Sequence, residues 1–129
     1  MTQEEFKEIV KQEIDDMVDS LEVKGIEYGG SGEEGDRLRN FKGAIGISTA
    51  ETPEEVLWNF VTKQLESLRQ MIVDLREGKS HPIAMWREKT RDVRNYLGPL
   101  LMALIYERYA MRKTHLGFFL RQEKEGNNV

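Results

Sequence analysis

Apolar residues recur at helical spacing along most of the chain. Between residues 3 and 24 they fall at Phe6, Ile9, Val10, Ile14, Met17, Val18 and Leu21, while Glu5, Glu8, Asp15, Asp16 and Asp19 lie off that stripe. The pattern predicts an amphipathic helix that stops near Gly25. A Gly-rich loop over 25–35 follows, with Tyr28 leading into Gly29, Gly30, Gly32 and Gly35. A short helix carrying Leu38, Phe41, Ala44 and Ile45 is expected next. The third helix has the sharpest start: Thr52 as N-cap, Pro53 at N1 and Glu55 at N3 form a capping box. Its stripe runs through Val56, Leu57, Phe60, Val61, Leu65, Leu68, Met71, Ile72 and Leu75 to a stop near Gly78. Ser80-His81-Pro82 opens a fourth helix by the same logic, with Trp86, Val93, Leu97, Leu100, Leu101 and Leu104 on one face to about residue 113. No segment alternates with period two. The expected architecture is all-α, a four-helix arrangement with a short extra helix, in a single domain over 1–120 with a frayed tail over 121–129.

From Leu97 to Tyr106 the fourth helix is apolar around its circumference, so it must be covered on every side. A second subunit would do this; so would burial as the central helix of a monomer. Pro99, preceded by Gly98, cannot donate to the Asn95 carbonyl and predicts a kink there. Glu88, Asp92 and Asn95 stand at i, i+4 and i+7, a polar stripe that leads into the packed segment. That makes it the best site candidate, against the plainer reading of a solvated face.

Composition removes several chemistries. The chain has no Cys, so disulfides, thiolate catalysis and Cys-ligated metals are excluded, and two His are too few for a His cage. A net charge of −4 argues against general nucleic-acid binding. The acidic N-terminus has no apolar run behind it, and Leu97–Tyr106 is far shorter than the roughly 20 residues that span a bilayer. No membrane association and a cytoplasmic location are expected, in the host cell if the chain is phage-encoded.

Gly30-Ser31-Gly32-Glu33-Glu34-Gly35 matches G-x-G-x-x-G literally, but it follows a helix and places two glutamates where pyrophosphate would sit. It is not a dinucleotide fingerprint, and Asp36-Arg37 in place of Lys-Ser/Thr excludes a P-loop. Asp36 suits an N-cap. Arg37 beside the loop suits a phosphate or carboxylate. The acidic pairs Glu5/Glu8, Glu13/Asp16 and Asp16/Asp19, each three apart, read as a solvated face sooner than a Mg²⁺ site. Charge is uneven: residues 1–22 hold eight carboxylates against two lysines, whereas 108–124 are basic and carry the apolar plug Leu116, Phe118, Phe119 and Leu120. That segment would dock on its own domain, on an acidic helix of another subunit, or around an anionic ligand.

Lys24-Gly25-x-Glu27-Tyr28-Gly29, Asp36-Arg37-Leu38-x-Asn40-Phe41, Pro53-Glu54-Glu55-x-Leu57-Trp58, Lys63 and Trp86-x-Glu88-Lys89-x-x-Asp92-x-x-Asn95-Tyr96-Leu97 resemble a group of short bacteriophage proteins of unassigned function. The helix with Glu88 and Asp92 is distantly similar to the MazG-like all-α nucleotide pyrophosphatases. That resemblance implies a MazG-like, oligomeric bundle in which helical carboxylates hold Mg²⁺ against a nucleoside triphosphate. The chain departs from it: Glu88 and Asp92 are four apart rather than three, and the third helix has no E-x-x-E pair in its middle. Metal-assisted cleavage needs more carboxylates than these two, whereas Lys63, Arg87, Lys89, Arg91 and Arg94 suit an anion.

The expectation is therefore a phage-type homo-oligomer that binds a nucleotide-like anionic ligand without turnover and with no cofactor; sequestering a host nucleotide signal would be one use. Arg37 and Lys63 would meet phosphate, Tyr28, Trp58, Trp86 or Tyr96 would stack on a base, and Asn40, Asp92 or Asn95 would read its edge. One alternative is a Mg²⁺-dependent pyrophosphohydrolase with Glu88 and Asp92 as metal ligands; another is an inhibitor or adaptor of a host protein.

Overall fold

The structure, a computed structural model, describes residues 1–29 and 35–112. Helices α1 (Gln3–Gly29), α3 (Pro53–Arg76), α4 (Ile83–Asn95) and α5 (Leu101–Arg112) are accompanied by the short α2 (Arg39–Gly43) and a 3₁₀ turn, Ala44–Ile47. There is no strand among the described residues. The fold is all-α, as the periodicity predicts. The apolar plug at 116–120 and the tail over 121–129 lie outside the described residues, as do positions 30–34 of the Gly-rich loop.

Most helix boundaries have a local cause. At the start of α1 the Glu5 N–H donates to the Thr2 hydroxyl at 3.1 Å while the Thr2 N–H donates to the Glu5 carboxylate at 2.6 Å, a reciprocal cap. The helix then runs through Gly25 to Gly29, so the first part of the expected 25–35 loop is helical. A glycine costs a helix about 1 kcal/mol but does not end it unless the backbone turns left-handed. In α3 the predicted cap forms: Glu55 N–H donates to Thr52 Oγ1 at 3.2 Å, and the Thr52 hydroxyl donates to the Glu55 carboxylate at 3.0 Å. The other end closes at Gly78, with φ +85°, as Lys79 N–H reaches the Asp74 carbonyl at 2.8 Å. The start of α4 departs from expectation: Pro82 is itself the N-cap residue, and no side chain caps the turn.

Pro99 breaks the last long helix as its chemistry requires. Tyr96–Leu100 form a π turn in which Gly98 leaves helical geometry (φ −92°, ψ −106°) and Leu101 N–H reaches the Tyr96 carbonyl, five residues back. The expected single helix to about residue 113 is therefore two, α4 and α5.

The core is one cluster of Leu38, Phe41, Ala50, Val56, Leu57, Val61, Leu100 and Leu104, with Leu21, Phe60 and Tyr96 packed against it. Burying a side chain such as Leu57 or Phe41 contributes roughly 2 kcal/mol. These residues come mainly from α2, the first half of α3 and the chain around the kink, so the cluster occupies one end of the bundle; Met71, further along α3, is buried apart from it. Two predicted stripes are only partly used. In α1, Met17 and Leu21 are half-buried while Phe6, Ile9, Val10, Ile14 and Val18 are exposed. In α3, Leu65, Ile72 and Leu75 are exposed although they continue the stripe begun by Val56, Leu57 and Val61. Periodicity marks the apolar face of a helix but not how far along that face a neighbour extends. No described helix is long and apolar enough to cross a membrane.

Candidate functional site

Helix α4 packs against both α1 and α3. Its contact with α1 is rich in ion pairs. Asp16 accepts from Arg91 Nε and a terminal guanidinium nitrogen, each at 2.8 Å, and from Arg94 at 2.8 Å; Arg94 also pairs with Glu13. The Arg91 hydrogen bonds, helped by Arg94, hold the Asp16 carboxyl down at about 2, below its ordinary 3.8. This corrects two expectations. Glu13 and Asp16, though partly exposed, are paired across the helices rather than merely solvated, and Arg91 and Arg94 already have α1 carboxylates as counter-charges.

Beside this clamp lies a cleft lined by Leu21, Arg37, Asn40, Phe41, Asp92, Asn95, Tyr96 and Leu100. Five of these, Arg37, Asn40, Asp92, Asn95 and Tyr96, are sequence-predicted site residues. Local structure explains how they meet. Asp36 accepts the Leu38 N–H at 3.0 Å and pairs with Lys42 at 2.8 Å, which fixes the turn into α2 and so places Arg37 and Asn40. Lys42, by hydrogen bonding, and then the Leu38 N–H lower the Asp36 carboxyl below its usual range. Asp36 thus caps the turn before α2 rather than the helix itself, whose N-cap is Leu38. From this turn Arg37 donates to the Leu21 carbonyl of α1 at 3.0 Å, bringing its half-buried side chain to the cleft wall.

On the opposite side, the α4 stripe passes from exposed Glu88 through half-buried Asp92 to Asn95, which is 2% exposed. The Asn95 amide nitrogen donates to the Ser20 hydroxyl at 2.9 Å, and Arg94 approaches its oxygen at 3.4 Å. Tyr96 closes the end of the cleft, its ring 6.3 Å from Phe41 and 6.1 Å from Phe60 in a three-ring cluster. The cavity between these walls measures only about 20 Å³. As it stands the cleft admits a small polar group, not a whole base.

The other predicted residues lie elsewhere. Lys63 is exposed on α3 and does not line the cleft. Trp86 packs edge-on against His81, their ring centres 6.5 Å apart, near the α3–α4 turn. Trp58 is exposed on α3. The Tyr28 side chain lies outside the described residues. Among the described residues no three of Asp, Glu, His or Cys converge, at Glu88 and Asp92 or elsewhere. Asp16 is bonded to arginines, so it is not a spare carboxylate for Glu88 and Asp92. Sequence reasoning missed Ser20, which holds Asn95; its position one residue before Leu21 on the inward side of α1 was the available signal.

No protein-family model, curated protein or solved structure matches the chain.

Proposed function

We propose that the chain is a phage-type, homo-oligomeric protein that binds a nucleotide-like anionic ligand at the cleft between α2 and α4 without turning it over. The observation that supports this is convergence: Arg37, Asn40, Asp92, Asn95 and Tyr96, drawn from two separated segments, line one cleft. Arg37 offers a guanidinium to a phosphate or carboxylate oxygen. Asp92 accepts from the amino edge of a base, Asn40 and Asn95 both donate and accept, and Tyr96 presents an aromatic ring. Because the space is tight, the ligand enters by its edge or by a single anionic group, and the walls open further on binding. Sequestering a nucleotide signal in a host cytoplasm is the use we assign to this chemistry.

Thermal unfolding with a panel of nucleoside triphosphates and cyclic dinucleotides, with and without Mg²⁺, tests the reading. The expected result is a raised Tm with at least one nucleotide, no product formed, and no shift in Arg37→Ala or Asp92→Ala. Release of pyrophosphate that Asp92→Ala abolishes would replace it with the hydrolase reading. No shift with any nucleotide, together with co-purification of a host protein, would replace it with the adaptor reading.

A further inference from the structure

Among the described residues, the bundle is well covered at one end and less so at the other, where Met71 of α3 is buried but much of the apolar surface around it is not. Helices α1 and α4 run in the same direction, because Gln12 shares a wall with Arg87, Asp16 bonds Arg91 and Ser20 bonds Asn95. The α3 helix runs the opposite way, joined to α4 by the turn at Gly78. The first turns of α1, the last turns of α3 and the start of α4 are therefore level with one another. Covering the other end are α2, the 3₁₀ turn and α5. Five residues long, α2 spans only about 8 Å, against about 36 Å for α3, so it cannot reach this end. Nor do α1 and α3 approach each other closely among the described residues, so neither covers the other's apolar face.

What this open end presents is apolar. Phe6, Ile14, Ile72, Leu75 and Ile83 are each more than half exposed. With Ile9 they offer on the order of 600 Å² of apolar surface, most of the roughly 800 Å² each partner buries in a standard interface. The rim is charged in a way that suits self-pairing. Both signs stand there without an ion pair among the described residues: Glu5, Glu8 and Lys11 on α1, Arg76 on α3, and Arg87 and Glu88 on α4. With both signs on each copy, a two-fold axis lets Glu5 or Glu8 of one copy meet Arg76 or Arg87 of the other.

We infer that this open end of α1, α3 and α4 is a homodimer interface, occupied by the same face of a second copy. The inference rests on the homo-oligomer reading above and is independent of the ligand. Sedimentation equilibrium of the full chain at micromolar concentration is expected to give twice the 15.0 kDa chain mass. Ile72→Glu and Ile83→Glu, both at exposed positions, should each weaken the dimer by roughly tenfold or more while leaving the far-UV circular dichroism unchanged. Ile47→Glu, on the 3₁₀ turn at the closed end, should leave it intact. A monomeric full chain would overturn both this inference and the oligomer reading. A dimer that survives Ile72→Glu and Ile83→Glu would overturn the interface alone.

Discussion

Replacing Asp16 by Asn removes one charge from the α1–α4 clamp with almost no change of shape. Asp16 receives three hydrogen bonds at 2.8 Å, two from Arg91 and one from Arg94, and its carboxyl is held at about 2 instead of 3.8. At about 1.36 kcal/mol per pH unit the shift corresponds to at most about 2.4 kcal/mol. The Asp16 side chain is 36% exposed, so water and salt screen the pair and about 1 kcal/mol is a fairer figure. The sign follows from the lowered value: the contribution is complete above 3.8 and disappears as pH falls through about 2. Urea unfolding of Asp16→Asn at neutral pH should therefore show a loss of about 1 kcal/mol, or roughly 3–5 °C in Tm, at matched protomer concentration. The gap to the wild type should narrow between about pH 4 and pH 2 and shrink in high salt. In an Arg91→Gln, Arg94→Gln background the same substitution should cost little. An undiminished penalty at low pH, or equal penalties in both backgrounds, would refute the ionic account of this contact.

Asn95→Leu should destabilise the fold by about 1–3 kcal/mol, since it leaves the buried Ser20 contact unmade, and should abolish any nucleotide-induced rise in Tm. Chemical unfolding and the ligand panel read these separately. Gly78→Ala should cost about 1 kcal/mol from its φ of +85° alone, because no atom lies within 4 Å of an added Cβ; a neutral result by urea unfolding would mean the turn relaxes.

The chemistry of local segments was readable in the residues themselves. Thr52-Pro53 and Glu55 set the start of α3, and Gly98-Pro99 set the break between α4 and α5. The i, i+4, i+7 spacing puts Asp92 and Asn95 on one stripe, and Arg37 and Asn40 stand out beside the Gly-rich segment. Spacing along one helix does not say what faces it. The burial of the stripe at Asn95 depends on Ser20, from a helix 75 positions earlier in the chain. The basic residues of α4 looked like an anion site because their partners, Glu13 and Asp16, are equally remote in sequence.

Which segments are helical, where most of them begin and break, and which side chains share a face follow from hydrogen bonds and sterics within a few residues, and so could be read from the residues alone. Which charges neutralise one another, which side chains meet at the cleft and which apolar faces stay bare could not. Those outcomes depend on the angle and overlap of helices that meet across long stretches of chain. The turn into a short α2 at one end of the bundle brings Arg37 to the same cleft as Asp92, and α2 is too short to cover Phe6, Ile72 and Ile83, which are exposed at the other.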